Sequence, residues 1–94
     1  MTLKQKLIKE YKDAVYLETI SELRIKAVPD GEENDYLRNR YAIDVVGQLK
    51  VIDALRNLFT ENDKKYLLPK LDEECKNVAK THFFIYNLAN ESED

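Results

Sequence analysis

Residues 35–59 run DYLRNRYAIDVVGQLKVIDALRNLF, and their periodicity decides the fold class. At about 100° per residue around a helix, Leu37, Tyr41, Val45, Ile52, Leu55 and Phe59 fall on one stripe, which Ala42 and Leu49 widen. A second stripe, Tyr36, Ile43, Val51, Ala54 and Leu58, lies roughly on the other side. Asn39, Lys50, Asp53 and Asn57 leave only a narrow polar strip. A helix apolar on two sides is usually central, with neighbours on both, so this segment is expected in the middle of the molecule. Gly47 sits near the second stripe, where a glycine costs up to about 1 kcal/mol relative to alanine. It either permits a close helix crossing or is simply tolerated.

Upstream, Val28-Pro29-Asp30-Gly31 is the clearest turn. Proline biases the residue before it away from helical geometry, and Pro-Asp-Gly supplies turn chemistry. Asp30, Glu32, Glu33 and Asp35 follow, where a helix N-terminus welcomes negative charge. Asp30 with Glu33, or Asn34 as a simple cap, could open the helix over 35–59. Before the turn, a first helix is predicted from Thr2 to Ala27, opened by Thr2 and Gln5 at capping-box spacing. Its apolar residues change sides. Leu3, Leu7, Ile8, Tyr11, Ala14 and Val15 share one face, whereas Tyr16, Ile20, Leu23 and Ala27 lie nearly opposite. Either the helix breaks at Val15–Tyr16, or its halves dock on different partners.

Downstream, Thr60 and Asp63 again have capping spacing, ahead of a short helical piece to Leu67. Proline suits a first helical turn and not an interior, so a last helix begins at Pro69 or a continuous one kinks there. Leu71, Cys75, Val78, His82, Ile85 and Ala89 then repeat in a coiled-coil-like seam. The expected fold is all-α, an antiparallel helical hairpin or three-helix bundle with a broken or Pro-kinked third helix. Residues 1–90 form a single helical domain and 91–94 an acidic tail.

Composition agrees. The 94 residues are one domain's worth, with 44% apolar and 35% charged residues and only two Gly and two Pro. A net charge of −3 argues against a nucleic-acid clamp, which usually reads strongly basic. The single cysteine, Cys75, excludes a disulfide framework and suits a reducing cytoplasm. No apolar run approaches the roughly 20 residues that span a bilayer, so no membrane partner is expected, and the lysine-interleaved N-terminus does not match a signal peptide.

Candidate chemistry is sparse. Cys75 and His82 share a helical face, but seven residues separate them by about 10.5 Å along the axis, too far for a nucleophile–base pair. Asp44 and Asp53 are about 13.5 Å apart, and Asp44 lies one turn from Arg40, suited to an intrahelical ion pair. Asp72, Glu73 and Glu74 complement a helix start after Pro69. There is no metal-ligand pattern around the one histidine, no Gly-x-Gly phosphate loop, and no cofactor or enzymatic activity is expected. Lys6, Lys9 and Lys12 sit opposite the apolar face of their half-helix, as solvated charge does.

The stretch 35–59, with Gly47-Gln48 followed by leucines and isoleucine at helical spacing, resembles short helical accessory proteins of bacteriophages, often from structural gene clusters. The likeness covers about a quarter of the chain. It implies a phage or mobile-element origin and a non-enzymatic role, in the cytoplasm of a host cell or in the virion, and carries over no functional residue.

The surplus apolar surface points to a partner. Phe84 and Leu88 project from behind the last seam, and Tyr16, Ile20 and Leu23 from behind the first face. Three helices of one chain offer too few neighbours for all of it. The expected function is a non-catalytic protein–protein interaction module that forms a homo-oligomer or meets another helical protein, with Tyr16, Ile20, Leu23, Phe84 and Leu88 at the interface. The alternatives are a phage-type inhibitor of a host protein, and a small nucleic-acid or nucleotide binder using the arginines of 35–59.

Overall fold

The computed structural model of the chain describes residues 1–92, with side chains described through Leu88. Regular structure among them is helical: α1 Leu3–Ala27, α2 Asp35–Arg56, α3 Glu61–Tyr66 and α4 Leu68–Ser92. The ends fall where side chains replace missing backbone partners. Gln5 N–H donates to Thr2 Oγ1 at 3.1 Å while Thr2 N–H donates to Gln5 Oε1 at 2.8 Å, completing the capping box. Asp63 N–H donates to Thr60 Oγ1 at 3.1 Å to open α3. Pro69 lies in the first turn of α4, after a one-residue break at Leu67.

The α1–α2 turn is closed differently from the expectation. Asn34 stands at the N-cap position of α2 but its side chain makes no capping bond there. Instead, the Arg38 guanidinium reaches back and donates to Pro29 O (3.0 Å), Gly31 O (2.7 Å) and Asp35 Oδ1 (3.0 Å). Asn34 Nδ2 adds a bond to Pro29 O at 3.1 Å. Gly31 holds φ 132°, a conformation that favours glycine; a Cβ there would meet the flexible end of the Glu33 side chain, at 2.6 Å.

α1 runs unbroken through Val15–Tyr16, and its two halves find different surroundings. Tyr11 and Val15 join Phe59, Leu68, Leu71 and Cys75 in the core, with Leu7, Ile8, Ile52, Leu55 and Leu67 packed around them. The core therefore gathers at one end, where the first half of α1 meets the end of α2, α3 and the start of α4. The Phe59 ring meets Tyr11 edge-on at a centroid distance of 5.7 Å. Tyr11 Oη donates to Asp72 Oδ1 at 2.6 Å, and further along both helices Tyr16 meets His82. α4 thus runs parallel to α1, while the short turn sends α2 back antiparallel.

Two expectations are corrected. The central helix is α1, which packs against both α2 and α4, whereas α2 and α4 hardly meet. None of the 22 residues of α2 is buried. Its first stripe faces inward at half-buried Leu37, Tyr41, Val45, Ile52 and Leu55, and its second stripe lies open. Periodicity shows which residues share a face but not which neighbour covers it; here α4 packs on α1 and α3 on α4. Gly47 allows no crossing within the chain, since a Cβ there would meet nothing within 4 Å.

The seam of α4 also differs. The buried row is Leu68, Leu71, Cys75 and Ala79, continuing through half-buried Phe83 and Asn87. Val78 and Ile85 are 47% and 57% exposed, and His82 is exposed. A heptad seam needs supercoiling to stay in contact; a straighter helix packs along its i±4 row, which is inclined by about 26° to the axis. Ala89 has no described side chain, and where the acidic tail was expected from 91, α4 continues through Ser92. Residues 93–94 lie outside the described residues.

Candidate interaction surfaces

From the shared core, α2 and α4 diverge on either side of the second half of α1. Between them opens a groove of about 860 Å³, lined among others by Tyr16 and Ile20 of α1, Tyr41 of α2, and Phe83 and Tyr86 of α4. The residues expected at one interface are therefore divided. Tyr16 and Ile20 are half-buried and face this groove within the chain. Tyr16 Oη pairs with His82 Nδ1 at 3.0 Å, and the rings meet edge-on. Leu23 is half-buried and does not line the groove. Phe84 and Leu88 are 66% and 52% exposed on the outer end of α4, beside exposed Ile85. The five do not form one patch.

A larger surface lies on α2, where Tyr36, Ile43 and Leu58 are 68%, 72% and 67% exposed and Val46 and Val51 are also open. The signal for it was the second stripe of 35–59, read there as an inner face. A shallow hollow of about 570 Å³ follows this face through Ala42, Ile43, Val46 and Gly47.

Burial and neighbouring charges shift several titratable groups. Cys75 is buried. Burial pushes its thiol up, against the opposing pull of Lys12, away from the thiolate a nucleophile needs. His82 has Nδ1 engaged by Tyr16. Burial first, then the bond to the Asp72 carboxylate and its charge, push the Tyr11 phenol up to about 12, with Arg56 opposing. Glu18 is 5% exposed. Burial, then a hydrogen bond and charge repulsion from Glu22, raise its carboxyl to about 7, with Lys76 opposing. Arg40 and Asp44 both line the groove, and the intrahelical ion pair expected between them is not among those formed. Arg24 lies over the Tyr41 ring at 5.8 Å.

Among the described residues, no group of three or more His, Cys, Asp and Glu is placed to hold a metal ion, and no helix is long and apolar enough to cross a membrane. No protein-family model, curated protein or solved structure matches the chain. The fold and surfaces define a class: an all-helical chain with a small, one-ended core and wide uncovered apolar faces.

Proposed function

We propose that this chain is a non-catalytic helical interaction module that associates with copies of itself. The observation that carries this reading is α2, a 22-residue helix apolar on two sides without one buried residue. Contiguous apolar patches above several hundred Å² mark interaction sites on soluble proteins. The state of Cys75 and His82 supports a role without catalysis. The engagement of Arg38 by the α1–α2 turn favours protein over nucleic acid as the partner. Within this proposal, the likeness of 35–59 to phage accessory proteins supports a setting in a host cell or a virion. Phe84 and Leu88 offer a second contact for another helical protein.

Sedimentation velocity over a concentration series tests the reading. The expected mass rises from 11.1 kDa toward a multiple of it. A species that stays at the single-chain mass to high micromolar concentration contradicts self-association.

A further inference from the structure

We propose that α2 pairs antiparallel with the α2 of a second copy, about a twofold axis beside Gly47; this rests on the self-association reading above and adds its geometry. Counted outward from Gly47, the exposed face is nearly palindromic. Ile43 and Val51 stand four residues away on either side, and Tyr36 and Leu58 eleven. A twofold axis sets Ile43 level with the partner's Val51, and Tyr36 level with the partner's Leu58. Contacts of this kind are isologous, with residue i meeting j and j meeting i.

The angular positions fit as well as the axial ones. Relative to Gly47, Ile43 and Val51 lie about 40° to opposite sides, and Tyr36 and Leu58 about 20°. Residues at one level therefore sit side by side across the contact instead of colliding. Leu58 lies just past α2, held to its last turn by an N–H bond to Leu55 O at 3.0 Å. Arg40, which lines the groove within its own chain, comes level with the partner's Ala54, whose small side chain leaves that level uncrowded. Asp44 comes level with the partner's Lys50, so within the face like charges do not meet.

Gly47 gains a use in this arrangement. Nothing in its own chain approaches it, and at the axis the missing side chain lets two backbones close together. The exposed parts of Tyr36, Ile43, Val51 and Leu58 amount to roughly 500 Å² of apolar surface. A standard interface buries about 800 Å² per partner, and the stem of Lys50, which lines the hollow on this face, adds to the apolar area.

Cysteine pairing tests register and direction together, because the native thiol is buried. Under mild oxidation Gly47→Cys should give a disulfide-linked dimer, since the two positions meet at the axis. Ile43→Cys alone should not, because its two copies stand about 12 Å apart along the axis, beyond the roughly 7 Å between Cα atoms that a disulfide tolerates. Ile43→Cys mixed with Val51→Cys should link. In sedimentation, Ile43→Asp should weaken association at least tenfold with its helical circular dichroism unchanged, whereas Phe84→Asp should leave association intact. Self-linking of Ile43→Cys means parallel pairing and overturns the proposal. If wild type associates while Gly47→Cys fails to link and Ile43→Asp still associates, this geometry is wrong and the self-association reading stands. If wild type is a monomer to high micromolar concentration, both fall.

Discussion

α1 and α2 carry the same kind of pattern, each apolar on two sides, yet they end in opposite circumstances. α1 buries Tyr11, Ala14, Val15, Glu18, Thr19 and Ser21 between its neighbours, while no residue of α2 is more than half-buried. The α1 face is satisfied because α3 folds the chain back and delivers Leu68, Leu71 and Cys75 to it. The α2 face is left open because, among the described residues, α4 packs on α1 and α3 on α4. Two-sided patterning thus does not by itself tell whether a helix has a neighbour on both sides within its chain.

The sharpest way to break this contrast is to truncate one residue on each side of it. Leu68 is fully buried, and Leu68→Ala should cost about 2–5 kcal/mol in chemical denaturation through lost transfer energy and a cavity. Tyr36→Ala on the open face should change the stability of the dilute monomer by no more than about 0.5 kcal/mol. Comparable losses at the two sites would mean that the open face belongs to the monomer's own core.

Glu18 sharpens the account of how α1 is enclosed. Its folded carboxyl titrates at about 7, above the ordinary 4.5, so the folded state keeps a proton that the unfolded chain releases between those values. The stability linked to that proton is present below pH 4.5 and is lost as pH rises through 7. Relative to Glu18→Gln, wild type should lose on the order of 1–3 kcal/mol between pH 4.5 and 8, measured by urea titration at each pH. Parallel pH profiles for the two proteins would show that α1 leaves Glu18 hydrated.

Cys75 and His82 separate the buried row of α4 from the heptad seam. Cys75→Ser should cost about 1–3 kcal/mol by placing a hydroxyl in an apolar site, while His82→Gln, on an exposed residue, should cost at most about 1 kcal/mol for its bond to Tyr16. Equal losses in thermal melts would restore the seam through both residues. The smallest effect is expected at Gly47→Ala, which should stabilise the dilute monomer by up to about 1 kcal/mol from helix propensity alone, since the added methyl meets nothing.

What was legible in the sequence is what short-range physics controls. Thr2 with Gln5, Thr60 with Asp63, and Pro29 each act within a turn of backbone, and each marks an observed helix boundary. Stripe membership in α2 was legible too, since Leu37, Tyr41, Val45, Ile52 and Leu55 do face inward. Which stripe has a neighbour in the chain was not, because that depends on where α4 goes after Pro69. The register of α4 was missed for a related reason: Val78 and Ala79 are adjacent and both apolar, and only the angle at which α4 meets α1 selects Ala79. Helical spacing does not separate Tyr16 and Ile20, which line a groove within the chain, from Phe84 and Leu88, which are exposed beyond it, because that division depends on how α4 packs.

The claim that the second face of α2 is completed by another copy can be tested most directly by melting the wild-type protein over a hundredfold range of concentration. Association stabilises a folded chain by mass action and makes its midpoint depend on concentration. The account predicts that the wild-type Tm climbs steadily with concentration while that of Ile43→Asp stays flat. A wild-type Tm that does not move across the whole range would contradict it.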